Sequence, residues 1–113
     1  VQKKSVSRYG ILSLKNKKKN NFKITDVVEK PNIRNAPSNY AIIGRYILPK
    51  IIMSELKNLK VGQGGEFHIT DAIKKLIANG EKFYANIFKG KYLDCGTLEG
   101  YINSSIQIAR KRK

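Results

Sequence analysis

An α/β fold, a sheet layered with helices, is what this sequence predicts, and three observations predict it. Short apolar stretches of strand length alternate with stretches whose apolar residues recur at helical spacing. Glycines and prolines punctuate the joints between them. A hydrophobic content of 41% over 113 residues is enough for a single core.

The elements follow in chain order. Ser5 to Leu14 reads as a strand through Val6, Ile11 and Leu12, interrupted at Gly10, where a close backbone approach is expected. Lys15 to Asn21 is a polar turn, and Phe22 to Glu29 resumes strand character with Ile24, Val27 and Val28, so the pair predicts a β-hairpin with a solvated tip. Pro31 stops the second strand, and a loop containing Pro37 leads to Tyr40 to Leu48. That run is almost continuously apolar and predicts a strand buried on both faces, in which Arg45 needs an ion-pair partner. Pro49 suits the first turn of a helix carried by Ile51, Ile52, Leu56 and Leu59. After the Gly62 to Gly65 connection, Thr70 is the expected N-cap of a second helix, with Asp71 favourable to its dipole. Ala72, Ile73, Leu76 and Ile77 form its buried stripe, and Gly80 ends it. Phe83 to Phe88 and Lys91 to Leu93 predict a strand pair around Gly90. Thr97 caps a last helix whose core stripe is Leu98, Tyr101, Ile102, Ser105, Ile106 and Ala109, with Arg110 to Lys113 at its solvated end. No internal repeat is visible.

Composition narrows the function. No apolar run approaches the ~18 residues of a membrane span, and no signal peptide is visible at Val1-Gln2-Lys3-Lys4. With Val1 in place of Met, a removed segment, a tag or missing upstream sequence is expected to precede it. One cysteine, Cys95, excludes an internal disulfide framework and suits the cytoplasm, and one His with one Cys cannot build a zinc site. The formal charge of +15 has two readings. It attracts phosphate, which would make the chain a basic nucleic-acid-binding module. Alternatively it is compositional, since the excess is mostly Lys, accompanied by Ile and Asn, all favoured by A/T-rich codons. The second is preferred: no zinc-finger, RRM or helix-turn-helix signature accompanies the charge, so nucleic acid is not the expected partner.

Tyr9-Gly10, Glu29-Lys30-Pro31, Gly44-Arg45-Tyr46 and Asp94-Cys95-Gly96 place a glycine or a charge where local structure would prefer an apolar residue. Ligands of open α/β sheets gather at such strand ends. Val28-Glu29-Lys30-Pro31 and the run from Ala36-Pro37-Ser38-Asn39 to Leu48 resemble the bacterial glucose-1-phosphate uridylyltransferases, among the sugar-phosphate nucleotidyltransferases. Gly64-Gly65-Glu66, Ile69-Thr70-Asp71-Ala72-Ile73 and Asp94-Cys95-Gly96 with Gly100-Tyr101 follow in that family's order. The resemblance runs from Arg8 to Ala109.

The resemblance implies the carboxy-terminal half of such an enzyme: residues 1–113 as one partial domain, part of a Rossmann-like mixed sheet flanked by helices. The amino-terminal, nucleotide-binding half with its Gly-rich loop is absent, so the segment is expected to be inactive alone. Its open sheet edge favours association. The intact enzyme is expected to be a homo-oligomer joining UTP and glucose 1-phosphate. By position, Gly10 and Gly44 would let backbone approach the sugar, Glu29 would accept hydrogen bonds from its hydroxyls, and Lys30 would hold its phosphate. Asp94 would help hold Mg²⁺. Glu66 and Asp71 are read as ordering a loop and a helix start, and His68 and Cys95 as packing or surface residues. A third reading is a non-catalytic oligomerisation domain.

Overall fold

A computed structural model describes residues 1–18 and 21–112; Lys19 and Asn20, inside the expected polar turn, and the terminal Lys113 lie outside the described residues. The elements are β1 (Gly10–Lys18), β2 (Asn21–Glu29), α1 (Ile52–Lys57), α2 (Ile69–Ala78), β3 (Phe83–Asn86) and α3 (Leu98–Lys111), with 3₁₀ turns at Lys3–Arg8 and Gln63–Gly65. The α/β class is as expected. The described strands form one antiparallel sheet in the order β1-β2-β3, so the parallel part of the expected mixed sheet is not among the described residues.

The hairpin forms, but Lys3–Arg8 is a 3₁₀ turn, β1 begins only at Gly10, and the strands run through Lys18 and from Asn21 into the expected polar turn. A register shift between Ser13 and Leu14 leaves Thr25 as an additional residue, and its hydroxyl donates to the Ser13 carbonyl at 3.2 Å. Strict alternation would send Ile24 and Val27 to opposite faces; the bulge brings both to the core.

That core is Leu12, Ile24 and Val27 from the hairpin, Ile52 from α1, and Ala72, Ile73 and Leu76 from α2. Each large side chain buried there contributes about 1.5–3 kcal/mol. The close of α2 follows the sequence: Gly80 sits at φ +95°, and Gly80 N–H and Glu81 N–H donate to the Ile77 and Leu76 carbonyls at 3.0 Å each. This left-handed closure is what a glycine after the last turn supplies.

Four expectations are corrected. Residues 40–48 are not a strand: Ala41 makes an isolated bridge to Ile11, and Ile47 is fully exposed at 102%. Arg45 is likewise exposed and donates to the Gly44 carbonyl at 3.3 Å instead of being buried against an acid. No strand forms at 91–93. In α3 the expected stripe is largely on the surface, with Leu98, Tyr101, Ile102 and Ile106 all exposed and Ser104 the buried residue. Thr97 does cap α3, its hydroxyl accepting from Gly100 N–H at 3.1 Å.

Candidate functional site

Where β1 begins and β2 ends, the two strands and the start of α2 enclose an open cleft of about 460 Å³ lined by Gly10, Glu29, Tyr46, His68 and Thr70, with Arg8 and Tyr9 at one side. Pairing of Gly10 with Glu29 across the hairpin puts a residue without a side chain opposite a carboxylate. A Cβ at Gly10 would meet Glu29 Oε2 and Thr70 Cγ2 at 3.0 Å and Ile42 Cδ1 at 3.4 Å, so only glycine fits unless these neighbours give way.

Glu29 is the centre of the cleft. Its side chain is 13% exposed, and Oε2 accepts from the Thr70 hydroxyl at 2.8 Å. Its other oxygen lies 3.8 Å from His68 Nδ1. His68 Nε2 is 2.7 Å from the Gln63 carbonyl, a contact that needs the proton on that nitrogen. The Tyr46 hydroxyl is pushed above its ordinary range by burial, with the negative charge of Glu29 adding to it.

Lys30 follows at φ +42°, a left-handed conformation uncommon for a lysine and of the kind that collects at functional sites. Its Nζ lies 3.6 Å from Glu66 Oε2, outside the cleft lining. Gly44 also stands outside the lining; it adopts φ +71°, and a Cβ placed on it would meet nothing within 4 Å.

Asp94 buttresses one wall. Its Oδ2 accepts from the Tyr9 hydroxyl at 2.6 Å and from Arg8 at 2.9 Å, and its Oδ1 accepts from Gly96 N–H at 3.0 Å. These donors, Tyr9 first and then Gly96 N–H, hold the Asp94 carboxyl below the usual range. Burial, reinforced by the hydrogen bond to Asp94, pushes the Tyr9 phenol up to about 12. The chain from residue 94 to α3 is thereby pinned to the strand that carries Gly10.

Mg²⁺ asks for several oxygen ligands in near-octahedral geometry. Asp94 offers one carboxylate whose two oxygens already take three donors, one of them a guanidinium. No group of three or more His, Cys, Asp or Glu that could hold an ion occurs among the described residues. An ion at Asp94 would therefore have to displace donors that the carboxylate already holds.

The structure therefore gathers Gly10 and Glu29, sets Lys30 and Asp94 beside them, and leaves Gly44 apart. Sequence reasoning missed His68 and Thr70. His68, not Thr70, occupies the N-cap position of α2, and it caps without a side-chain hydrogen bond. Arg8 and Tyr9 were also missed as the partners of Asp94. In each case the role depends on contacts 39 or more residues away, as the 86-residue separation of Arg8 and Asp94 illustrates.

A family model described as nucleotidyl transferase matches residues 1–111. The chain belongs to the nucleotidyl transferase family. Among its relatives is the UTP–glucose-1-phosphate uridylyltransferase of Pseudomonas aeruginosa, 41% identical over 105 residues, covering 93% of this chain and 37% of the relative. The protein of the same name in Mycoplasma pneumoniae is 39% identical over 108 residues, covering 94% and 37%. A crystal structure of UDP-glucose pyrophosphorylase complexed with UDP-glucose superposes with a TM-score of 0.92 at 41% identity, over 98% of this chain and 42% of that one. UTP-bound UGPase from Acinetobacter baumannii gives 0.77 at 32% identity, over 96% and 36%. This nucleotidyl transferase chain thus spans about 37% of the length of those curated relatives, nearer a third than the expected half. The carboxy-terminal placing is not upheld by the matches. No helix among the described residues is long and apolar enough to cross a membrane.

Proposed function

We infer that this chain forms the sugar-phosphate side of a UTP–glucose-1-phosphate uridylyltransferase, which makes UDP-glucose and pyrophosphate from UTP and glucose 1-phosphate. The observation that carries the reading is Glu29: a mostly buried acceptor, fixed by Thr70, opening onto a cleft whose opposite strand has no side chain at Gly10. A sugar ring presents hydroxyl donors to such a carboxylate, and a ligand lacking them would leave it with the Thr70 bond but without those donors. Names and structures of the relatives support the same substrate.

In the reaction an oxygen of the sugar phosphate attacks the α-phosphate of UTP and pyrophosphate leaves. Positioning and charge neutralisation suffice, with no covalent nucleophile. Glu29 and the Gly10 backbone hold and orient the hexose. Lys30 exchanges Glu66 for the phosphate, acting as a point charge. Gly44, outside the cleft lining, is assigned no contact with the sugar. Asp94 we assign to anchoring Arg8 and Tyr9; oxygens for Mg²⁺ are left to the phosphates and to parts of the enzyme beyond this chain. UTP binding likewise belongs to the remaining length of the relatives, the isolated chain being inactive. A cytoplasmic setting and a homo-oligomeric intact enzyme complete the proposal, supported by the free, exposed Cys95 and the exposed apolar side chains of α3.

A chimera tests this: the matched stretch of the Pseudomonas aeruginosa relative is replaced by this chain and UDP-glucose formation is assayed. The expected result is activity that Glu29→Gln reduces by on the order of 10²-fold. A folded chimera whose activity is indifferent to Glu29→Gln overturns the reading. Tight duplex-DNA binding with a steep salt slope, without any response to glucose 1-phosphate, would favour the nucleic-acid alternative.

A further inference from the structure

We propose that Thr70 is the positioning residue that decides which oxygen of Glu29 faces the ligand, an inference that rests on the sugar-binding reading of Glu29. Thr70 is the second residue of α2, where a threonine hydroxyl has no obligatory backbone partner. It is 5% exposed, so its hydroxyl needs a bond within the protein. That bond is the 2.8 Å donation to Glu29 Oε2.

Two consequences follow from the same side chain. Oε2 already accepts one donor from the protein, so Oε1, the oxygen on the His68 side, is the less engaged acceptor of the cleft. The Thr70 methyl meanwhile stands 3.0 Å from the position a Cβ at Gly10 would occupy, closing the cleft floor beneath the carboxylate. One face of the residue thus orients the acid and the other shapes the surface next to it. The hydroxyl hydrogen-bonds the carboxylate across 41 residues of sequence, joining the helix that bears Thr70 to the end of the strand that bears Glu29.

Thr70→Val keeps the shape and removes the donor; Thr70→Ser keeps the donor and removes the methyl. The full chain and its variants are compared by calorimetry for binding glucose 1-phosphate and inorganic phosphate, and by NMR for the Glu29 side-chain carboxyl ¹³C shift. Thr70→Val is expected to weaken glucose 1-phosphate about tenfold while leaving inorganic phosphate within about twofold, the loss of one charge-assisted hydrogen bond. It also moves the Glu29 signal, and Thr70→Ser restores both. A Thr70→Val protein with an unmoved Glu29 signal, or with wild-type preference for the sugar phosphate where Glu29→Gln has lost it, overturns this inference alone. Glu29→Gln with an unchanged preference overturns the sugar-binding reading and this inference together.

Discussion

α2 and α3 carry similar apolar patterns and meet different fates. α2 buries Thr70, Ala72, Ile73 and Leu76 against the hairpin, whereas α3, four residues longer, buries Ser104 and leaves Leu98, Tyr101, Ile102, Ile106 and Ile108 exposed. Periodicity states which face of a helix is able to be buried; a partner decides whether it is. The partner of α2 is the sheet of this chain, and the cleft stands at their junction. α3 is held mainly at its start, by the Thr97 cap and by the bonds that Asp94, just ahead of the helix, accepts from Tyr9 and Arg8.

The contrast predicts unequal costs. Leu76→Ala opens a cavity in the core and is expected to destabilise by about 2–5 kcal/mol in chemical denaturation. Gly10→Ala comes next: its methyl would press on Glu29, Thr70 and Ile42, costing about 1–3 kcal/mol and weakening sugar-phosphate binding. Ile102→Ala in α3 should change stability by no more than about 0.5 kcal/mol. Equal effects of Leu76→Ala and Ile102→Ala would mean that α3 is packed as firmly as α2.

The Asp94 cluster adds two pH windows to the comparison. The Asp94 carboxyl is lower in the folded chain than its ordinary 3.8, so its contribution is present above that value and lost as pH falls through the lowered one. Tyr9 is raised from 10.0 to about 12, so its contribution is complete below pH 10 and lost as pH climbs towards about 12. Removing the accepting partner by Asp94→Ala should bring the phenol's titration, followed by ultraviolet absorbance, back towards 10 without reaching it, because burial is the larger cause. An unmoved titration would deny the Tyr9–Asp94 bond.

Much of the hairpin and of α2 was legible, because Phe22, Ile24, Val27, Ala72, Ile73, Leu76 and Gly80 find what they need within this chain. Residues 40–48 were not. Their apolar run reads as a doubly buried strand, yet among the described residues it pairs with the sheet only around Ala41, through the Tyr40 carbonyl and the Ile42 N–H, and it exposes Ile47. The site divides likewise. Glu29 and Gly10 were legible through family motifs, while Thr70, written as a cap, is a partner of Glu29 because of how α2 lies on β2. Asp94 carried the family's acidic motif, but only the fold shows Arg8 and Tyr9 closing on it.

An NMR titration of the labelled full chain with glucose 1-phosphate tests the central claim most directly. The largest amide shifts are expected at Gly10, Glu29, Lys30 and Thr70, with α3 from Tyr101 onward quiet. Shifts concentrated on α3, or none at any concentration at which the chain stays folded, would contradict it.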